Sequence, residues 1–194
     1  MVTRINLKVE DVFGEIPELD AERLVLRRMT PADAEDMHTY TSDPEMVKHL
    51  PLFQTYTLEE AKRSIAGFME MYDARRVAPW GITIKATGKH IGICGFENWN
   101  PSTDRAEIGF IIAREFWRSG YATEAATRVM RFGFERMQLN RLEARCTTDN
   151  IGSQILLETR LGMTYEGLLR EHSYWKGQYH DLKLYSLLKR EFKG

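Results

Sequence analysis

Two hydrophobic periods alternate along this chain. Arg23 to Met29 alternates apolar and polar residues, which predicts a strand. Thr30-Pro31 with Asp33 then predicts a helix start: a hydroxyl cap, a proline at the first helical position and an early acid. Ala34, Met37 and Tyr40-Thr41 follow near helical spacing. Thr57-Leu58-Glu59-Glu60 is a capping-box pattern. Behind it Ala61, Ile65, Phe68, Met69 and Tyr72 give a helix one apolar face that fades near Arg75-Arg76. The period shortens at Trp80, where Trp80, Ile82, Ile84 and Ala86 alternate. Thr87-Gly88-Lys89 is a turn, and Ile91 to Trp99 returns as the second arm of an antiparallel hairpin. A turn region from Asn98 to Asp104 leads to a third strand, Ala106 to Ile112.

The longest apolar stripe is Ala122, Ala125, Ala126, Val129, Met130, Phe134 and Met137, an amphipathic helix. Arg141 to Thr147 puts Leu142, Ala144 and Cys146 on one face of a strand. Ser153 to Arg160 predicts a last helix, stopped at Gly162. Strands near Thr164 to Leu169 and Tyr179 to Leu188 close the chain. Residues 1–20 have weak periodicity and read as an N-terminal arm, with one domain over 21–194. The sum is a mixed α/β sheet, antiparallel early and parallel around the long helix.

Composition narrows the function classes. The 194 residues carry 27 Lys+Arg against 28 Asp+Glu, a net charge of -1. A near-neutral chain is not built to grip phosphate backbones, so no direct nucleic-acid partner is expected. No apolar run approaches the length of a membrane span, and the acidic first twenty residues do not resemble a signal peptide. Two distant cysteines, Cys94 and Cys146, are too few for a disulfide scaffold or a zinc site. The histidines lack ligand spacing, so no metal is expected. These features predict a cytoplasmic protein.

Candidate chemistry concentrates where the third strand meets the long helix. Around Ser119-Gly120 and Ala122 the backbone can approach a ligand closely. The N–H groups from Arg118 to Thr123 lack helical partners at an electropositive helix end, which suits a pyrophosphate. No P-loop and no Gly-x-Gly-x-x-Gly occurs.

This segment resembles the acyl-CoA loop of the GCN5-related N-acetyltransferase (GNAT) superfamily, whose core is [Gln/Arg]-x-x-Gly-x-[Gly/Ala]. Trp117 stands where Gln or Arg is usual, and Gly120 and Ala122 match the small positions. Further stretches are similar in the family's order: Arg23 to Arg28, Trp80-Gly81-Ile82, Ile91-Gly92-Ile93-Cys94-Gly95, Ala106-Glu107-Ile108-Gly109-Phe110 and Asn140-Arg141-Leu142-Glu143-Ala144. Asn150-x-x-Ser153, Leu161-Gly162-Met163 and Glu166-Gly167 complete the set. Met163 stands where the most similar branch, the ribosomal-protein alanine acetyltransferases of the RimJ/RimL type, has Phe. The resemblance covers residues 21–190 and implies a GNAT fold: a mixed, mostly antiparallel sheet of about seven strands with flanking helices and a V-shaped acyl-CoA cleft.

The implied reaction is acetyl transfer from acetyl-CoA to an amine in a ternary complex. It requires a neutral amine, a donor for the oxyanion and a proton for the departing thiolate. The resemblance assigns the cofactor to main-chain groups of Phe110, Ile111 and Ile112, to the loop Trp117, Arg118, Ser119, Gly120, Tyr121, Ala122 and Thr123, and to Asn150. Ser153 is the candidate acid near the sulfur, with helix capping as its structural alternative. Glu107 and Glu97 are the candidate bases, with Glu171, His172 and Ser173 as a further segment. Tyr165, Tyr174 and Trp175 are candidates for an acceptor pocket. The implied acceptor is a protein N-terminal α-amine, such as that of a ribosomal protein. A small-molecule amine (polyamine, amino acid or antibiotic) and a non-catalytic acetyl-CoA sensor remain open, as does a homodimer.

Overall fold

The structure is a computed structural model that describes residues 8–50 and 56–193. Eight strands form one sheet in the order β1-β2-β3-β4-β5-β6-β8-β7. They are β1 Leu19–Asp20, β2 Leu24–Arg27, β3 Trp80–Ile84, β4 His90–Asn100, β5 Arg105–Ile112, β6 Arg141–Thr147, β7 Thr164–Trp175 and β8 Gln178–Leu188. Every neighbouring pair is antiparallel except β5 with β6. The eighth strand is the two-residue β1, too short to leave a period in the sequence. The helices are α1 Val9–Phe13, α2 Ala34–Thr41, α3 Pro44–Val47, α4 Leu58–Asp73, α5 Tyr121–Glu135 and α6 Ile151–Ile155.

Strand alternation divides the interior into two cores. Trp80, Ile82, Cys94, Phe96, Ala106 and Ile108 point to one face and pack under α5, through Ala125, Ala126, Val129 and Met130. Ile93 and Ile111 point to the other face and meet α2 and α4, through Met37, Tyr40, Ala61 and Ile65. The result is three layers, with helices on both faces of the sheet. Residues 8–20 take part: Phe13 is buried among Trp80, Trp99 and Phe132, each ring centroid 6.0 Å away. Trp80 Nε1 donates to Pro17 O at 2.7 Å. Residues 1–7 of the expected arm lie outside the described residues.

Local signals operate as physical chemistry dictates. Thr57 Oγ1 accepts from Glu60 N–H at 3.3 Å, and Glu60 Oε2 accepts from Thr57 N–H at 2.7 Å, so α4 starts on a reciprocal cap. Near Thr30 the start is a 3-10 turn over Pro31–Asp33 before α2. There Asp33 accepts both from Thr30 N–H and from the Arg27 guanidinium, at 2.7 and 2.9 Å, 2.7 Å.

A buried histidine ring lies beside Tyr40 of the second core. His90 is 1% exposed, its Nε2 lies 3.1 Å from the Tyr40 hydroxyl, and its Nδ1 has no partner among the described residues. Burial drives its pKa from 6.5 down to about 4, with Asp33 and Asp36 opposing and Arg27 assisting. Below pH 6.5 the unfolded chain therefore takes up this proton before the folded one does. Stability is full above that pH and should fall by about 3 kcal/mol down to pH 4. Urea unfolding across this range should show the slope, and His90→Gln should flatten it.

Candidate active site

The parallel pair β5–β6 holds for three residues: Arg105↔Arg141, Ala106↔Leu142 and Glu107↔Glu143. Beyond them the strands part. Their outer sides stay paired, since β4 follows β5 to Ile112 and β8 follows β6 to Thr147. Only the shared edge opens. Ala113 N–H donates to Ile91 O at 2.8 Å. Antiparallel alternation counted back from that bond turns the backbone groups of Ile108, Phe110 and Ile112 toward the fork. The Ile112 carbonyl is taken there by Trp117 Nε1, at 2.7 Å.

A cleft of about 1070 Å³ extends from this fork. Its lining includes Glu97, Glu107, Phe110, Ile111, Asn150 and Ser153 among the residues expected at the site. Ile112 and the loop 117–123 lie outside the lining. Tyr174, Trp175 and Ser173 contribute to it, while Tyr165, Glu171 and His172 do not.

The sheet face under the cleft carries three cross-strand pairs in a row: Ile93↔Ile111, Gly95↔Gly109 and Glu97↔Glu107. The glycine pair leaves a floor without side chains. A Cβ on Gly95 would come within 2.5 Å of Pro79 Cα, and one on Gly109 would stand 3.5 Å from Glu97 Oε1. Glu97 thus leans over bare backbone.

The two glutamates face each other as like charges but have different partners. Glu107, its side chain 12% exposed, is gripped by Arg145 through both oxygens, one contact at 2.8 Å. Asn98 Nδ2 donates to it at 3.1 Å. Arg145 also donates to His172 Nε2, which must accept because a guanidinium has no lone pair to offer. Glu97 has no ion pair or hydrogen bond among the described residues. Desolvation by the cleft walls, then the charge of Glu107, raise its carboxyl above the usual range, and Arg145 opposes them. Sequence alone favours Glu107 of the two acids, because Asn98 and Asn100 beside Glu97 suggest an open loop. The geometry leaves Glu97 as the carboxylate with lone pairs available.

α6 starts two residues earlier than the sequence predicts, at Ile151, because the cap is Asn150 and not Ser153. Asn150 Oδ1 accepts from Ser153 N–H at 3.0 Å. This frees the Ser153 hydroxyl, which makes no hydrogen bond among the described residues. The same bond occupies the Asn150 side-chain oxygen and leaves its amide N–H groups to the cleft. The helix continues as a π turn over Leu156–Arg160. Cys146 also lines the cleft, but burial pushes its thiol up to about 11. Cys94, fully enclosed, shifts the same way. Neither offers a thiolate nucleophile.

The loop before α5 is set by its backbone. Arg118 and Gly120 have φ of 60° and 82°, and Gly120 is the residue at the helix N-cap. The first intrahelical bond is Glu124 N–H to Gly120 O at 3.0 Å, so the N–H groups of Tyr121, Ala122 and Thr123 remain free at the positive end of a fifteen-residue helix. Trp117, in the place usual for Gln or Arg, pins the loop to β5 through its indole.

Three functional neighbours are not evident from the sequence reading. Arg23 Nη1 donates to Ser119 O at 3.0 Å, and its guanidinium lies 4.3 Å over the Tyr121 ring. Glu124 accepts from the N–H groups of Arg23 and Leu24 and from Arg23 Nε, at 2.7, 3.1 and 2.8 Å. These pairs are about a hundred residues apart, which no local pattern reveals. Arg145 had a faint signal: it alternates with Arg141 and Glu143 on the polar face of β6.

A family model described as "Acetyltransferase (GNAT) domain" matches residues 23–164. The chain is a GNAT acetyltransferase. It is 36% identical over 176 residues to the uncharacterized N-acetyltransferase p20 of Bacillus licheniformis, across 91% of this chain and 98% of that protein. It is 37% identical over 107 residues to YdaF of Bacillus subtilis, provisionally named a ribosomal N-acetyltransferase, across 55% of this chain and 58% of YdaF. The solved GNAT-family acetyltransferase of Bacillus anthracis superposes with a TM-score of 0.80 at 27% identity, covering 90% of this chain and all of that one. Among the described residues of this GNAT enzyme no helix is long and apolar enough to cross a membrane.

The GNAT loop should depend on its remote clamp. Glu124→Ala removes the acceptor of three donors, one of them the half-buried Leu24 N–H, and should cost about 1–3 kcal/mol. Amide hydrogen exchange should rise at Arg23 and Leu24, whose N–H groups lose their acceptor, and thermal unfolding should report the stability loss.

Proposed function

We propose that this enzyme moves the acetyl group of acetyl-CoA directly to a protein N-terminal α-amine in a ternary complex. The observation that carries this reading is the charge balance of the cleft. Arg145 neutralises Glu107, and the Glu97 carboxylate has no ion pair or hydrogen bond among the described residues. One unpaired carboxylate suits one ammonium group, whereas a polyamine calls for several. A carboxylate is a weak base, and an α-amine with a pKa near 8 is far easier to deprotonate at pH 7 than a lysine near 10.4. YdaF supports the choice of acceptor, since its provisional name assigns it to ribosomal targets. A ribosomal protein N-terminus is the proposed partner.

The fork residues suit the cofactor. Free N–H groups at Tyr121 to Thr123 and the uncovered Arg118 offer a pyrophosphate cradle, with Gly120 keeping it clear of a Cβ. The Asn150 amide and the backbone of Phe110 to Ile112 offer hydrogen bonds along the open strand. In the transfer, Glu97 takes one ammonium proton and passes it to solvent. The amine nitrogen then bonds to the acyl carbon as the carbon–sulfur bond breaks. A backbone N–H at the fork stabilises the oxyanion. The second amine proton is lost to solvent, balancing the one that Ser153 hands to the departing sulfur before solvent restores it.

Acetyl-CoA turnover with N-terminal peptides, N-blocked lysine peptides and spermidine tests the reading. Free N-termini should react fastest, and a preference for lysine or spermidine would overturn it. Glu97→Gln should lower kcat/KM about 10²–10⁴-fold and remove the acidic limb of its pH profile. That limb should fall above the ordinary carboxylate range, because the carboxyl is raised and must lose its proton to act.

Ser153→Ala should reduce kcat with little change in acetyl-CoA affinity by calorimetry. Its fold should be unharmed, since Asn150 holds the cap. An unchanged kcat would remove Ser153 from the chemistry.

A further inference from the structure

The cleft has a second wall that the transfer chemistry leaves unused. It is built from α2, α4 and the segment leading into β3, and it includes Met37, Phe68, Met71, Val77 and Pro79. Met37 is buried beneath it, while Phe68 and Met71 are half-buried members of the second core that remain open to the cleft. No charged residue of α2 or α4 lines the cleft. The wall lies close to the carboxylate. Pro79 sits over Gly95, two residues along β4 from Glu97, which is about 7 Å of strand. Ile93 and Ile111 extend the apolar surface by one more pair.

We propose that this wall receives the side chain of the acceptor, so that the preferred substrate carries a large apolar group on the carbon that bears its amine. The inference rests on the N-terminal-amine reading above. An amine held at Glu97 places the substituents of its α-carbon over the glycine floor, toward Pro79. A methyl or hydroxymethyl group there leaves the wall unfilled. A charged side chain would be stripped of water with no opposite charge on α2 or α4 to meet it. Leucine, methionine and phenylalanine remove apolar surface from water on both sides of the contact. Methionine in the wall is unbranched and polarizable, so the pocket adapts to these shapes and does not select one of them.

The test is a set of peptides identical except for the first residue, Leu, Met, Phe, Ala, Ser, Asp or Lys, alongside leucinamide and alaninamide. Initial rates of acetyl-CoA consumption with wild-type enzyme give kcat/KM for each. Leu, Met and Phe peptides should exceed Ala and Ser peptides by ~10–100-fold, the discrimination a few methylenes allow. Phe68→Ala should shrink that ratio to within about threefold, with thermal unfolding checking the fold. Equal rates for all termini, or Ala or Ser as the best, would overturn the apolar pocket and leave the N-terminal reading standing. Leucinamide preferred over alaninamide, with every peptide slower than either, would support the pocket and overturn the peptide reading. No transfer to any of them would overturn both. The wild-type series decides the matter even if the variant fails to fold.

Discussion

The fork between β5 and β6 is the constraint on which this molecule depends. Two parallel strands that pair for three residues and then part expose backbone groups that a sheet otherwise consumes. Such groups are costly to leave unmet, so the fork needs water or a ligand along its edge. The gap persists because neither strand is free to close it. Each is paired on its outer side along the parting stretch, β5 to β4 and β6 to β8. At the closed end, Arg105 and Arg141 both reach Glu143, at 3.2 and 2.7 Å, and Arg141 continues to Glu166. These ties hold the short parallel pair together just before it opens.

Electrostatics at the fork follow from the same register. The antiparallel pairing of β4 with β5 puts Glu97 opposite Glu107, which in isolation is unfavourable for both. Arg145 on β6 reaches across the fork and takes Glu107. That contact relieves the repulsion and bridges the parting strands. Residues that hold the fork thus also sort the two acids into one gripped by a guanidinium and one with no side-chain partner among the described residues. His172 is drawn into the same group through Arg145.

Much of the fold is legible in the sequence because its signals are local. Thr57 and Glu60 close their cap within one turn, and the stripe from Ala122 to Met137 needs only helical spacing. The ordered motifs from Arg23 to Gly167 bring the family within reach before any coordinates. The site is less legible. Choosing between Glu97 and Glu107 needs a strand register and an arginine 38 residues away in the chain. The roles of Asn150 and Ser153 hinge on which of them caps α6, and both are good capping residues. The two-residue β1 and the four-residue α3 are too short for periodicity to register. Each of these gaps is a case of tertiary pairing deciding among locally equivalent residues.

The cleft and the loop before α5 are separate structures that the proposed reading assigns to one cofactor, and they share a single joint. β5 ends at Ile112, whose carbonyl faces the open fork and meets the Trp117 indole. The same loop is fixed from the other side by Arg23, itself held by Glu124 from within α5. A ligand lying along the fork with its phosphates at the α5 terminus therefore contacts two surfaces whose relative position is set by hydrogen bonds at both ends of the loop. Preorganisation of this kind lowers the ordering cost of binding, which is otherwise large for a long flexible cofactor. It also explains how an aromatic residue can stand where Gln or Arg is usual. Trp117 contributes a donor to the protein's own backbone, and the cradle is left to N–H groups that any sequence with Gly120 in place would present.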